Sequence, residues 1–380
     1  MKRFATFVIG FALLFAVGCG GGGDDAAVPP SGGDVAPGLM GEATSVAIGE
    51  LPVFSLDTSE YPAWSTFVVA GNAGLVNPAE GGAYGPLEIK WGVDVVIQAK
   101  DYDPCLAEFA NAQCDAACIT VIDSLNPAMG RPCTGILPNS NSVGSDKVIA
   151  VGVDDVEGLK TVTTHGLEKS VSHYSWYREL EASGKNPADY KYVNLDPGAA
   201  ATALQNTSGE VKAICVWHPF ALQTIKNAPG AKTVMDSSLI PLEIIDQVVI
   251  GNDSLAKPGG EAFAACLCDI YFTVCGNLWA DDQKVQDTTR LALKEDFAPS
   301  FDLNDMKIIL KDSKFYRTAA EGIALYKNPE FRKLTEATVI PTCQKIGILE
   351  AGKKPTIGYD GEEGKQLTFS TKYMDMTTTK

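Results

Sequence analysis

Between residues 51 and 251 the chain alternates short apolar runs with helical stretches, and it does so twice. In the first series, 51–56, 93–98, 116–122 and 147–153 read as strands. Helices fall at 65–70 and from Asp103-Pro104, an acidic N-cap followed by proline at the first helical position, to about Asn111. The third strand ends at Asp123-Ser124, and 139–146 reads as a polar loop. In the second series, 161–164, 189–195, 211–217 and 248–251 read as strands, with helices opening near Ser170 and after Asp196-Pro197. This alternation predicts α/β architecture, parallel sheets with crossover helices. The segments 106–121 and 199–217 echo one another, which suits two similar lobes. Beyond 251 the pattern is mostly helical, at 260–279, 283–294, 303–311, 318–326 and 329–346, with a last strand in 366–373.

The stretch 165–182, HGLEKSVSHYSWYRELEA, reads as a tight turn leading into a helix. Ser170 is placed to cap it, Ser172 falls in an exposed first turn, and Gly184 suits its stop. Val171, Tyr174, Tyr177 and Leu180 recur at three-residue spacing and form the expected buried stripe. Hydroxyls and free N–H groups at such a turn suit a small polar ligand.

The chain has 380 residues, enough for two lobes with separate cores, and 45% hydrophobic content marks the bulk as globular. Its net charge is −16 and it has no basic block, which argues against nucleic acid and an anionic membrane surface as partners. Lys2 and Arg3 precede the apolar run 4–17 and then Gly18-Cys19. This reads as a lipoprotein signal peptide over 1–18, with Cys19 lipidated to anchor the chain to a bacterial membrane. Residues 19–49, rich in Gly, Pro and Asp, read as a flexible tether. Cleavage removes Lys2 and Arg3 and takes the charge from −16 to −18. Cys19 leaves nine of the ten cysteines, an odd number, so at least one is unpaired and the rest are buried or bridged. With only three histidines and no Cys-x-x-Cys, no metal site is expected.

No Gly-x-Ser-x-Gly, Walker loop or dinucleotide glycine fingerprint is present, so an enzyme has no positive motif. Polar and aromatic residues at the strand ends carry more information, because ligands of parallel α/β sheets meet the carboxyl ends of strands. Tyr61 and Trp64 follow the first strand. Asp123 and Ser124 end the third, and Asn141, Ser145 and Asp146 precede the next. Ser170, Ser172 and His173 open the helix of the second series, and Trp217 ends a later strand. Glu243 and Asp246 lie in PLEIID, before the return strand.

Several of these segments carry a family resemblance. SVSHY at 170–174, YVNLDPGAAATAL at 192–204, VWHPF at 216–220 and VMDSSLIPLEIID at 234–246, with TVIDSL at 120–125 and LTFSTKYM at 367–374, resemble type II periplasmic substrate-binding proteins of ABC importers. The resemblance is to the nitrate, sulfonate and taurine family, and within it to a subgroup associated with urea carboxylase that binds urea or short amides. It implies two lobes joined by two crossovers, with the ligand in the cleft: lobe 1 over 50–153 plus 248–380, lobe 2 over 154–247. It also implies a monomer without cofactor that captures a solute, closes, and delivers it to a permease and its ATPase, in the periplasm or at the cell surface. Of six arginines only Arg131 and Arg178 fall in the binding half, whereas an anion would need cationic donors. Asp123, Asp146, Glu243 and Asp246 point to an N–H-rich or cationic solute: urea, a short amide, a guanidine-like compound or a zwitterion. Trp64 and Trp217 would stack on it or hold its charge. The rivals are taurine or an alkyl sulfonate as ligand, an enzyme on the same fold related to pyrimidine synthesis, with His173 or Cys215 as its reactive group, and a sensory lipoprotein.

Overall fold

A computed structural model describes residues 50–378 apart from Gly82, Thr207, Gly361 and Glu363. The signal peptide, Cys19 and the tether lie outside the described residues.

Thirteen strands in the described residues form two sheets. The first contains β1 (Val53–Thr58), β2 (Asp94–Ala99), β3 (Ala116–Thr120) and β4 (Cys133–Ser142). The second contains β5 (Lys147–Val151), β6 (Thr163–Gly166), β7 (Lys191–Asn194), β8 (Ala213–Val216) and β9 (Ala231–Asp236). The chain then returns to the first sheet with β10 (Ile245–Gly251), β11 (Ser313–Phe315), β12 (Ile357–Tyr359) and β13 (Leu367–Phe369). The orders are β12-β13-β4-β10-β3-β1-β2, with β11 beside β4, and β7-β6-β8-β5-β9.

The core of each sheet repeats one plan. β2-β1-β3-β10-β4 and β7-β6-β8-β5-β9 each contain parallel strands and one antiparallel strand that arrives from the other lobe. β5 enters the second sheet directly after β4, and β10 re-enters the first after β9. The polypeptide therefore crosses between lobes twice, as expected.

The crossovers fall elsewhere than the sequence reading put them. β5 belongs to the second sheet, so the first crossover is at 143–146 and not after 153; β10 starts at Ile245, so the second ends before 248. The two crossovers are tied together. Ser142 and Ser237 share a hydroxyl–hydroxyl hydrogen bond of 2.6 Å, Gly144 N–H donates to Ser237 Oγ at 2.8 Å, and Ser237 N–H donates to the Asp146 carbonyl at 3.0 Å.

Several elements differ from the sequence reading for identifiable reasons. The third strand stops at Thr120, which caps a helix over Val121–Gly130 by accepting from Asp123 N–H at 3.0 Å. Asp123 and Ser124 thus sit in a first helical turn. The expected polar loop at 139–146 is largely strand: Asn139–Ser142 complete β4, buried throughout. Their backbone groups pair with β10 and β11, so tertiary pairing overrides low apolar content. The helix after β2 spans Tyr102–Ala110, with Asp101 as N-cap instead of Asp103. The last expected strand is cut short by a helix over Lys372–Thr378.

The core of lobe 1 is organised on the helix Gly260–Leu278, which buries Phe263, Leu267, Ile270, Tyr271 and Val274. Its length and composition would suffice to cross a bilayer, but most of its surface is spent inside this lobe. Phe263 stacks on Phe54 of β1, with ring centroids 4.8 Å apart. Burying such rings stabilises the lobe by roughly 2 kcal/mol apiece. All nine cysteines from Cys105 to Cys343 are buried free thiols. None is bridged, and the odd count has no structural consequence.

Candidate functional site

Five of the expected residues meet in one cavity: Tyr61, Trp64, Asp146, Trp217 and Asp246. Topology explains why. Tyr61 and Trp64 follow β1, Trp217 follows β8, and Asp146 and Asp246 stand at the starts of the two antiparallel strands. An antiparallel strand begins where its parallel neighbours end. Asp246 is in register with Thr120 of β3 and Ser140 of β4, while Lys147, next to Asp146, is in register with Val216 of β8 and Asp236 of β9. The two aspartates therefore stand at corresponding ends of the two sheets, one residue apart in register, and both reach one cleft. The cavity measures about 10 Å³, room for a single water.

Three further lining residues, Tyr102, Thr120 and Val171, escaped the sequence reading. Tyr102 is the most consequential. Its ring stacks on Trp64 (5.5 Å, 10°) and meets Trp217 of the other lobe edge-on (5.7 Å, 66°). Tyr61 packs against Trp64 at 4.9 Å, so four aromatic rings run continuously across the cleft. The signal for Tyr102 was its place directly after β2, at the opening of a helix.

The polar atoms divide into spent and unspent groups. Asp246 accepts from the Ser140 hydroxyl at 2.6 Å, and burial together with the nearby Asp146 pushes its carboxyl well above the usual range. Burial raises Asp146 to about 6, although the Ser142 hydroxyl and Lys147 work in the opposite direction. The Tyr61 hydroxyl and the Trp64 indole N–H are sealed from solvent without a partner, on residues 3% exposed. Unpaired buried groups of this kind cost about 1–3 kcal/mol each, and both line the same cavity.

Other expected site residues are engaged elsewhere. Asp123, from lobe 1, accepts from the Tyr102 hydroxyl at 2.8 Å, the Thr120 hydroxyl at 3.1 Å and Val171 N–H at 3.2 Å. Val171 opens the helix Val171–Ala182 of lobe 2, so the protein's own carboxylate fills the helix N-terminus at which a ligand oxygen was expected. Burial raises Asp123 to about 6. Ser170 caps its helix as expected, accepting from Ser172 N–H and donating to the Leu167 carbonyl at 2.9 Å, which leaves it little for a ligand. Ser172, expected to be exposed, is fully buried with an unpartnered hydroxyl. Ser124 donates to the Val121 carbonyl and accepts from Gln247 inside lobe 1, away from the cavity. His173 stacks on Tyr192 at 4.6 Å, outside the cavity. Glu243 is held by Arg178 through two hydrogen bonds of 2.8 Å and by the Tyr174 hydroxyl at 2.6 Å, so it is a structural acid and not a cleft carboxylate.

The arginines follow suit. Arg178 is committed to Glu243, and Arg131 to the Phe109 and Cys114 carbonyls and Asp253. No lysine or arginine lines the cavity. The residues named for an enzyme do not converge there either: the Cys215 thiol donates to the Ser172 carbonyl, and burial pushes it well above its ordinary range.

Comparison with solved structures places this architecture. The periplasmic aliphatic sulphonate binding protein SsuA from Escherichia coli is similar with a TM-score of 0.60 and 14% identity, over 79% of this chain and 94% of that one. The ligand-binding component of an ABC-type import system from Staphylococcus aureus, solved with zinc bound, gives 0.56 and 11%, over 78% and 93%. A conserved Candida albicans gene product described as having the generic periplasmic binding protein fold gives 0.56 and 13%, over 80% and 92%. No family model and no curated protein matches the sequence. The chain has the two-lobed periplasmic binding protein fold.

Proposed function

We propose that this protein is the extracytoplasmic solute-binding component of an ABC importer. Its lobes close over a small N–H-rich solute, in the range of urea, short amides, guanidine-like compounds and zwitterions, and hand it to a permease with its ATPase. No bond is changed. In this reading Cys19 carries the lipid, residues 19–49 tether a monomer to the membrane, and the crossovers at 143–146 and 237–244 act as the hinge.

The observation that carries the reading is the cavity between the lobes, walled by four rings and two carboxyl groups with no cationic side chain. A sulfonate would need N–H or cationic donors to replace its water. Both arginines of the binding half are committed elsewhere, and the N-terminus of the helix Val171–Ala182 is already filled by Asp123. The sulfonate of the Escherichia coli neighbour therefore does not transfer readily to this cleft.

Calorimetry against urea, guanidine, short amides, amino acids and taurine, with the ligand recovered intact afterwards, tests the reading. Binding of at least one N–H-rich compound without turnover is expected. Binding confined to taurine or an alkyl sulfonate overturns the ligand class, and conversion of the bound compound overturns the transport role.

A further inference from the structure

On the far side of Tyr102 and Trp217, which wall both, lies a second space, and this vestibule is acidic. Lobe 1 contributes Glu60, Asp101 and Asp103, and lobe 2 contributes Asp196. The vestibule has no lysine or arginine among its lining residues. Inside it stand Asp146 and Asp246, beside the unpartnered and almost wholly buried Tyr61 hydroxyl. Six carboxyl groups thus flank the two shared aromatic rings, four on the outer side and two on the inner, without a lysine or arginine in either lining. Nearby Lys147 is held by Asp312 at 3.0 Å.

We propose that the solute is a small organic cation with N–H donors, of the amidinium, guanidinium or primary ammonium class, attracted by the acidic vestibule and held among the aromatic rings, Asp146 and Asp246 once the lobes, shut here on a one-water cavity, part to admit it. The inference rests on the solute-binding reading above and narrows it to a charged ligand. Aromatic faces attract cations through their quadrupoles, most strongly where water is excluded. Burial and the neighbouring Asp146 keep a proton on Asp246 in the empty site; a cation that enters replaces that proton, which leaves to solvent, as the counter-charge of the pair. The Tyr61 hydroxyl accepts one of its N–H groups. A neutral isostere has nearly the same shape, but it presents a carbonyl acceptor in place of one NH2 donor and gains neither effect. Repulsion within the vestibule is visible in Glu60, raised to about 7 by burial and by Asp101, Asp196 and Asp296.

Titration with two isosteric pairs isolates charge from shape: guanidinium against urea, and acetamidinium against acetamide. Each cation is expected to bind at least about tenfold tighter than its neutral partner. Asp246→Asn is expected to lower cation affinity about tenfold or more and so to narrow the preference of each cation over its neutral partner. The double variant Asp101→Asn with Asp103→Asn alters only exposed vestibule positions. It is expected to slow cation association several-fold at low salt and little at high salt. Neutral compounds binding as tightly as their cations overturn the inference and leave the importer reading standing. Failure of all four compounds also overturns it, and if taurine then binds, the ligand reading above falls with it.

Discussion

Tyr61 shows most directly how the site is built against the stability of the empty protein. Its hydroxyl is buried without a partner at hydrogen-bond geometry, although Asp246, Ser145 and Ser313 lie beside it. Tyr61→Phe is expected to leave the solute-free protein as stable or more stable by about 1 kcal/mol in denaturant titration, while solute affinity falls about tenfold. A destabilised variant would mean that Asp246, Ser145 or Ser313 already pairs with it. The buried acids make a second prediction. Asp123 and Asp146 are raised to about 6 and Glu60 to about 7, each mainly by burial. The folded chain therefore binds these protons more tightly than the unfolded chain. Their contribution is full below about pH 4 and is lost as pH rises through 6 and then 7. His218 and His173, both pushed down by burial, work in the opposite direction, but Asp246 and Glu179, also raised by burial, add to the three carboxyls. The melting temperature of the solute-free protein should fall between pH 5 and 7.5. A rise over that window would show these carboxyls to be solvated.

The helix Val171–Ala182 and the strand before it show what an element must satisfy. Ser170 and Gly184, with φ of 71° at the glycine, bound the helix as the sequence predicts. The expected stripe is buried at Val171, Tyr174 and Leu180 but Tyr177 is only half-buried; Trp176, Ser172, Ser175 and Glu179 are enclosed as well, so the buried face is wider than the stripe and shifted from it. At the end of β6, Gly166 lies so close to β8 that an added Cβ would stand 2.7 Å from the Cys215 carbonyl and nearer still to the Tyr192 hydroxyl. The tyrosine can move but the strand cannot. Gly166→Ala should therefore destabilise the protein by about 2 kcal/mol, read by thermal or chemical unfolding; an unchanged midpoint would show that the strands part easily.

Across the whole molecule, the lobes are held together by contacts made only when they approach: Asp123 to Val171 N–H, Tyr102 to Trp217, and Lys226 to Asp305. Asp123→Ala removes the acceptor of three donors at once. Small-angle scattering of this variant should show a larger radius of gyration than the parent without solute, and an unchanged radius would mean that the other contacts suffice for closure. The nine buried thiols provide a test of the core. They should be unreactive toward a thiol reagent in the native state and all nine should titrate after unfolding. A count lower by two would reveal a bridge.

The α/β alternation, the caps at Ser170 and Asp196, and the two lobes were legible in the chain because periodicity and capping are local properties. Tyr61, Trp64, Asp146, Trp217 and Asp246 could be singled out because strand ends are where such sheets meet ligands. The polar stretch Asn139–Ser142 could not be recognised as strand, since its pairing partners in β10 lie about a hundred residues away. Nor could the chain reveal that Glu243 belongs to Arg178, that Asp123 seals a helix of the opposite lobe, or that Tyr102 joins Trp64 to Trp217. Which carboxylate finds a partner and which is left facing the cleft depends on distances between remote segments, and only the closed packing of the lobes sets those.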